Sequence, residues 1–382
     1  MYSLLFSIVL LIIHTQISHA ETICTDFRFL VYIDYTEYQF GYPPFNDNYD
    51  VATYIQDINR RDADKTFHPI SGSIPGNGTF RLSGTYCEPA NATTLLVATH
   101  GLNSDRTYWD IQYQPEKYNF ANYVVGKGYS FLSYDLLGAG RSQIISGYTL
   151  QLPMHVAMLE KILTKIRENS LFPKSVEHTV PKKIVPIGFN VGSHIINAVI
   201  ARNASLVNAA ILTGVGYKAS VASSIGSLFS SWNGKIASTV DPKWEDLGYH
   251  SGYLDQDDKF VIWKLKGYYD TNLTDSYSTE HRYPQAIMES ATAPLVDLNA
   301  KAFKSPVLVM ALTFSTQSGE YDYINCGGNC QGILGPSARE AFPNSKGFQS
   351  HVQPGAAHSL NLAYNATGSY QVIVDFLKKN RL

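Results

Sequence analysis

A strand, a sharp turn and a helix follow one another directly between residues 183 and 200, and this succession constrains the fold more than any other feature of the chain. Residues 183–187 are typical of a buried strand, and residues 193–200 are typical of a helix. The turn between them, Gly-Phe-Asn-Val-Gly at 188–192, has a glycine on either side of the Phe-Asn-Val centre. Glycine permits a turn sharp enough to present the central side chain at the top of a sheet. Because such strained turns rarely persist without a site to serve, we expect Asn190 to lie in a functional site.

The alternation of strands and helices along the chain predicts an α/β fold, with a mostly parallel central sheet flanked by helices. A strand is predicted at residues 94–99, because residues 95–98 are all apolar, as in a strand covered on both faces. Residues 79–86 instead partly alternate apolar and polar side chains, as near a sheet edge. The sheet is therefore predicted to begin mixed and to become parallel. The other predicted elements are strands at 128–134, 183–187, 206–214, 306–312 and 351–353, and helices at 120–126, 152–169, 193–200 and 370–379.

Composition changes between residues 218 and 303, which are rich in Ser, Tyr, Trp and Asp and lack clear strand periodicity. We interpret this stretch as an inserted, mainly helical cap, with the α/β core formed by residues 21–217 and 304–382. Aromatic side chains of the cap either line an apolar pocket or simply pack against the core. They include Trp232, Trp244, Trp263, Tyr268 and Tyr269.

The first 20 residues have the pattern of a secretory signal peptide. An apolar run from Tyr2 to Ile13 precedes Ser18, His19 and Ala20, a small-residue cleavage pattern. About a dozen apolar residues are too few to span a bilayer, so we expect a secreted protein with no membrane span after signal removal. Five Asn-x-Ser/Thr sequons predict N-glycosylation in surface loops, at Asn77, Asn91, Asn203, Asn272 and Asn365.

Four cysteines remain after signal removal, and an even number in a secreted chain favours disulfides. Three pairings are possible, among them a local ring between Cys326 and Cys330 that leaves Cys24 to pair with Cys87. The spacing of Cys326 and Cys330 also resembles half of a zinc site, but no matching second pair of ligands is apparent, so no metal is expected.

Charge and motifs exclude several classes of partner. The formal net charge is −2 and neither sign forms a long block, so a nucleic-acid partner is not expected. Gly138, Ala139 and Gly140 lack the full dinucleotide-binding fingerprint, so no cofactor is expected. The predicted partner is a small-molecule substrate or ligand.

Several motifs occur in one order. His100-Gly101-Leu102 follows a strand, a glycine-rich turn spans residues 135–142, the Asn190 turn comes next, and an acid and a histidine lie near the end. In this order the chain resembles the α/β-hydrolase superfamily from about residue 79 to residue 382, and residues 319–330 look like those of secreted, fungal members.

The resemblance implies a role for individual residues. His358 matches the catalytic base, and Asp322 matches the acid that fixes its tautomer, with Glu320 as the competing candidate. The backbone N–H groups of Leu102 and Val191 match the oxyanion hole, and His100 braces the adjacent loop. The turn that contains Asp135, Gly138, Gly140 and Ser142 is structural by the same comparison.

Asn190 departs from the usual pattern of the superfamily, in which a serine stands at this position. A neutral carboxamide has no accessible deprotonated form, so it cannot attack as a serine or cysteine does. Ser193, the nearest hydroxyl, lies about one helical turn from the apex and is a poor substitute. Ordinary acyl-enzyme turnover is therefore not expected.

Three hypotheses follow. In the first, His358 and Asp322 perform acid–base chemistry (hydrolysis, elimination, isomerisation or cyclisation) on a small lipophilic ester, lactone or carbonyl compound. In the alternative, the protein is an inactive relative that binds a small lipophilic ligand or a protein partner. In the third, deamidation turns Asn190 into the carboxylate nucleophile used by dehalogenases and epoxide hydrolases of this fold, although the branched Val191 hinders that reaction.

Overall fold

The computed structural model describes residues 23–215, 217, 234–256, 269–314 and 330–382. The predicted signal peptide lies outside these residues. Among the described helices, none is long and apolar enough to cross a membrane. The strands are β1 (Ile23–Phe40), β2 (Ile70–Glu88), β3 (Thr94–Thr99), β4 (Ser130–Tyr134), β5 (Lys183–Phe189), β6 (Ala210–Thr213), β7 (Gly234–Ile236), β8 (Tyr253–Gln256), β9 (Gln285–Ala286), β10 (Val307–Phe314) and β11 (Phe348–Ala357).

The helices alternate with the strands of the core, as the sequence predicts. The longer ones carry buried apolar residues at helical spacing, which fixes the face that packs on the sheet. The helices are α1 (Asn48–Ile58), α2 (Ala63–Thr66), α3 (Pro115–Tyr118), α4 (Phe120–Val125), α5 (Leu152–Arg167), α6 (Val191–Arg202), α7 (Ala237–Val240), α8 (Lys243–Asp246), α9 (Thr271–Glu280), α10 (Ile287–Ala291), α11 (Cys330–Ala341) and α12 (Ala366–Lys379).

Eight strands form one sheet in the order β1-β2-β4-β3-β5-β6-β10-β11. The pairs β1–β2 and β2–β4 are antiparallel, and every following pair from β4 to β11 is parallel. This confirms the predicted α/β class and the predicted change from mixed to parallel pairing. Since β3 and β5 are neighbours, the loop that follows β3 and the turn that follows β5 emerge side by side at the carboxyl edge of the sheet.

A long hairpin at the amino-terminal edge was not predicted in full. Only residues 79–86 of β2 were expected to form a strand, whereas β1 and β2 pair along almost their whole lengths. Phe27, Phe29 and Val31 of β1 point into the core, and the intervening side chains are exposed. Cys24 and Cys87 face each other across this hairpin and form a disulfide, while the suggested pairing of Cys326 with Cys330 lies outside the described residues.

The connection between β1 and β2 packs against the inserted segment. Helix α1 and its flanks contribute Phe45, Val51 and Tyr54 to an apolar cluster that also contains Ile236 and Leu254. These last two residues belong to a small antiparallel sheet, β7-β8-β9, which lies within the segment predicted to form the cap and was not itself predicted. The N-terminal connection therefore packs against the predicted cap segment.

The cap aromatics that the structure describes have packing roles. Trp244 is buried, contacts Tyr249 edge-on with ring centroids 5.4 Å apart, and donates its indole N–H to Asp255 at 3.0 Å. Tyr269 forms an isolated backbone bridge with Ala363. The other candidates for lining a pocket lie outside the described residues, namely Trp232, Trp263 and Tyr268.

Four of the five predicted glycosylation sequons are exposed, as attachment of a sugar requires. The half-buried exception is Asn203, whose side-chain amide donates to Glu160 at 3.5 Å and whose carbonyl accepts from Ser205 at 2.9 Å. Glycosylation stays a prediction at each site. The exposed sequon residues are Asn77, Asn91, Asn272 and Asn365.

Candidate active site

The turn after β5 has the strained backbone that its glycines predict. Asn190 has φ 54° and ψ −121°, in the region that side-chain-bearing residues rarely adopt. A Cβ at Gly192 would lie 2.2 Å from the carbonyl oxygen of Thr99, and one at Gly188 would lie 2.5 Å from the backbone nitrogen of Ser193. Both neighbours are backbone atoms: Gly192 packs on the end of β3, and Gly188 packs on the first turn of α6. A larger residue is therefore excluded at both positions, which allows the sharp turn.

His358 lies directly opposite this turn. It follows the last residue of β11, is buried, and places its Nε2 atom 2.9 Å from Nδ2 of Asn190. Burial, with a smaller contribution from the neighbouring His194, lowers the pKa of His358 to about 3. The imidazole is therefore neutral at physiological pH. The Asn190 amide then donates a hydrogen bond to the Nε2 lone pair, the lone pair that a serine hydroxyl would otherwise contact.

The loop after β3, which contains the predicted oxyanion-hole residue Leu102, lies against Asn190. A Cβ built at Gly101 would lie 2.9 Å from Cβ of Asn190, so the Gly101 backbone directly contacts the apex residue. Leu102 follows and is half-buried. Val191 is the first residue of α6, and the first N–H groups of a helix have no partner within it. Both residues predicted for the oxyanion hole are therefore sequence neighbours of backbone that contacts or adjoins Asn190, and their role as donors stays a prediction.

His100 holds the near end of this loop to the core. Its Nδ1–H donates to the Gly101 carbonyl at 2.7 Å, and its Nε2 accepts the Leu136 N–H at 2.9 Å. Burial lowers the pKa of His100, which keeps the imidazole neutral and fits one donor and one acceptor. These contacts support the bracing role that was expected for His100.

The glycine-rich turn at 135–142 is an internally bonded structural element. Buried Asp135 accepts hydrogen bonds from the backbone N–H groups of Arg106 and Arg141 and pairs with the Arg106 guanidinium. Gly140 has φ +55°, and a Cβ there would lie 2.3 Å from the Asp135 carboxyl carbon. Ser142 donates to the Asp135 carbonyl oxygen at 2.7 Å. These contacts use the polar groups of the turn. Through Arg106 they also connect the turn to the loop after β3, residues 100–105, which we call the oxyanion loop.

Ser193 is committed to backbone contacts. Its buried hydroxyl donates to the Thr213 carbonyl at 2.8 Å and accepts the Thr213 N–H at 2.9 Å. Thr213 in turn donates to the Gly188 carbonyl at 2.7 Å. The oxygen of Ser193 therefore fastens β6 to α6 and does not face a substrate. The acid candidates, Asp322 and Glu320, lie outside the described residues.

His194 is a site neighbour that was not singled out from the sequence. It lies one helical turn after Asn190 on α6, and its N–H approaches the Asn190 carbonyl at 3.4 Å. Burial lowers its pKa to about 4, and its charge, when present, opposes protonation of His358. Its spacing of four residues from Asn190 is the sequence signal that places it on the same helix face.

An aromatic stack lies on one side of His358. Phe189 stacks on Tyr108 with ring centroids 4.1 Å apart, and it also approaches the His358 ring at 5.1 Å. Among the described residues, no group of histidine, cysteine or carboxylate side chains is arranged to hold a metal ion. The described part of the site thus combines one neutral imidazole, one carboxamide and backbone donors in apolar surroundings.

The comparisons with known proteins identify the fold. An esterase from Exiguobacterium antarcticum superposes with a TM-score of 0.51 at 12% identity, over 78% of this chain and 96% of that one. Epoxide hydrolase A from Mycobacterium thermoresistibile gives 0.51 at 15% identity, over 78% and 95%. The chain has the α/β-hydrolase fold. An esterase from Thermogutta terrifontis agrees, with a TM-score of 0.50 at 15% identity over 80% and 96%.

Sequence comparison adds no closer relative. No protein-family model matches the chain, and no curated protein matches it. Structural likeness at such low identity establishes the fold alone, because one fold supports many reactions. The chemistry has to be argued from the residues around Asn190.

Proposed function

We propose that this protein is a secreted hydrolase-type enzyme that acts on a small lipophilic ester, lactone or carbonyl compound without a serine nucleophile. His358 is the general base, and the acid expected at Asp322 orients it. The observation that carries the proposal is the 2.9 Å contact between Nδ2 of Asn190 and Nε2 of His358. It supports a neutral imidazole whose basic nitrogen faces the position where an attacking group normally lies.

Asn190 acts as a hydrogen-bond donor in this proposal, and not as a nucleophile. Its amide nitrogen is not nucleophilic, because the lone pair is delocalised into the carbonyl. When a substrate or a water molecule takes its place beside Nε2, His358 accepts a proton from that molecule. The Asn190 amide remains close enough to hydrogen-bond the reacting oxygen or the leaving group.

Two reactions fit this arrangement. If water loses its proton to His358 and attacks a carbonyl carbon, the resulting oxyanion is stabilised by the N–H groups of Leu102 and Val191, and His358 returns the proton to the leaving oxygen. If His358 instead removes a proton from the carbon beside a carbonyl, the same donors stabilise an enolate. If the enolate is conjugated with a double bond, return of the proton to a more distant carbon gives isomerisation. Expulsion of a leaving group from the β-carbon, protonated by His358 as it departs, gives elimination. Attack of the enolate on an electrophilic carbon of the same molecule, with departure of that carbon's leaving group and its protonation by His358, gives cyclisation.

The apolar surroundings favour a lipophilic substrate. The Phe189 ring, which stacks on Tyr108, lies beside His358, and desolvation is the main reason for the lowered pKa of His358. A charged substrate would lose its hydration on entering such a site, whereas an ester, lactone or ketone loses little. The same low polarity strengthens the backbone hydrogen bonds to a developing oxyanion.

The test compares the secreted wild-type protein with Asn190→Ser and His358→Ala on esters, lactones and epoxides, with products identified by mass spectrometry. The proposal requires conversion by wild type that His358→Ala abolishes, and the product then identifies the reaction class. If wild type converts nothing and Asn190→Ser hydrolyses esters, the site is a hydrolase silenced at one side chain. Turnover that survives in His358→Ala would rule out the imidazole as the base.

A further inference from the structure

Three consecutive residues of the oxyanion loop bond to the cap. Asn103 donates its side-chain amide to the Tyr283 carbonyl at 3.0 Å. The Ser104 hydroxyl lies 2.7 Å from the phenol oxygen of Tyr277. Tyr277 belongs to α9 and Tyr283 follows it closely, so a short cap segment, residues 277–283, supplies both partners. This segment is distant in sequence from the loop that it holds.

The third contact joins the carboxylate of Asp105 to the imidazole of His281. The Asp105 carboxylate lies 3.5 Å from Nδ1 of His281, within the same cap segment, and also accepts the Thr107 N–H at 2.9 Å. Burial alone would raise the pKa of Asp105, but the hydrogen bonds from His281 and Thr107 outweigh it and lower the pKa. The carboxylate is therefore charged and needs its cap partner, because an unpaired buried charge is costly.

The opposite side of the loop is fastened to the core. His100 bonds to the Gly101 carbonyl and to the Leu136 N–H, and the Gly101 backbone contacts Asn190. Leu102 lies between these core contacts and the cap contacts of the next three residues. Asn103 has φ 58°, so the chain reverses at the boundary between the two sets of contacts. The direction of the Leu102 N–H thus depends on both.

We propose that cap segment 277–283 is a positioning element for the oxyanion hole, which aims the Leu102 N–H at the Asn190 apex only when the cap is seated. The inference rests on the proposed function, because it gives that N–H a catalytic task. Tyr277, His281 and Tyr283 act through the loop and do not contact the substrate. Seating of the cap over a substrate therefore also completes the donor pair that stabilises the oxyanion.

Four variants separate the contacts. Tyr277→Phe removes only the hydroxyl, and Asn103→Gly removes the amide while tolerating the positive φ. His281→Ala removes the cap partner of Asp105. His281→Asn keeps a hydrogen-bond donor near the Nδ1 position, so it should preserve the contact with Asp105. Ser276→Ala is the control, because Ser276 on the same helix bonds only to exposed Glu280, at 3.1 Å, among the described residues.

The first measurement is hydrogen–deuterium exchange of residues 100–105. Exchange should rise several-fold in Tyr277→Phe, Asn103→Gly and His281→Ala, and it should stay at the wild-type rate in His281→Asn and Ser276→Ala. This readout needs no turnover, so it is independent of the proposed function. Unchanged exchange in all the variants would overturn the inference.

The second measurement is catalytic. In the wild-type background, the three loosening variants should lower kcat by roughly 10- to 100-fold with KM within about twofold, as expected for a misplaced oxyanion donor. If wild type proves inactive, the same variants are made with Asn190→Ser and the rate of labelling by a fluorophosphonate is measured. The inference would be overturned if loop exchange became faster while kcat, or the labelling rate, stayed unchanged. It would also be overturned if the Asn190→Ser protein that keeps all its cap contacts were not labelled by the fluorophosphonate.

Discussion

Acidification from about pH 7 to about pH 4 should destabilise this protein through the buried imidazole of His358. Burial lowers the pKa of this residue from 6.5 to about 3 in the folded chain. Because the pKa falls on folding, the unfolded chain binds the proton more readily than the folded chain. The contribution of His358 to stability is therefore fully present above about pH 6.5 and is lost as the pH falls towards about 3.

The size of the loss follows from this shift. About 2.5 pH units separate 6.5 from 4, and each is worth about 1.4 kcal/mol, so about 3 kcal/mol of unfolding free energy should disappear through His358 alone. The comparison protein is His358→Gln, because glutamine does not titrate and its amide oxygen accepts from Asn190. Exposed His250, changed to glutamine, is the matched control.

The assay is urea unfolding at both pH values, followed by tryptophan fluorescence. Wild type and His250→Gln should each lose about 3 kcal/mol more than His358→Gln between about pH 7 and about pH 4. Equal losses in wild type and His358→Gln would refute the reasoning, since His358 would then take up its proton alike in the folded and unfolded chains. That result would also contradict the assignment of the Asn190 amide as a donor to a neutral His358.

Three further predictions concern the scaffold, and urea unfolding checks each. Asn190→Gly should be more stable than Asn190→Ala by about 1 kcal/mol, because only glycine relieves the strain of φ 54°. In a regular helix the alanine variant is the more stable one, and that order here would contradict a strained turn. Replacing both Cys24 and Cys87 with serine should cost about 4 kcal/mol, since the disulfide closes a loop with a sequence separation of 63, and a much smaller loss would mean that the unfolded chain is not constrained by it. Gly192→Ala should cost about 3 kcal/mol or more, because its Cβ would lie 2.2 Å from the Thr99 carbonyl oxygen; a wild-type midpoint would show that α6 can move away from β3.

The parallel core was predictable because its strands are buried on both faces. The strand at 94–99 was predicted with the bounds that β3 has, since a short continuous apolar run in an α/β chain is typical of a strand covered on both sides. Strand β1 was not predicted, although Phe27, Phe29 and Val31 are buried alternately with exposed residues, because Leu30, one of the exposed residues, is apolar and blurs the two-residue pattern in the sequence. In addition, β1 and β2 are joined by a long connection that contains helices, and not by the short turn that usually marks a hairpin in a sequence.

The candidate site was predictable only where motif order fixes it. Asn190 and His358 are 168 residues apart in sequence and meet at 2.9 Å, an encounter that the order of hydrolase motifs implies. The cap contacts of Asn103 and Ser104 had no such signal. Hydrogen bonds between a loop and a distant cap depend on how two irregular segments pack, and neither periodicity nor composition records that packing.

The strained turn at Asn190 is a product of packing, and this makes the exchange of its side chain informative. Gly192 lets α6 lie against the backbone of β3, and Gly188 lets the end of β5 lie against the first turn of α6, so the sharp turn is imposed by backbone packing on both sides of residue 190. Asn190→Ser should therefore leave the backbone in place and change only the group presented to His358. Gain of esterase activity in that variant would then measure the chemistry of one side chain on a fixed scaffold. Activity of the wild type that depends on His358 would show that the same scaffold works through its imidazole and backbone donors alone.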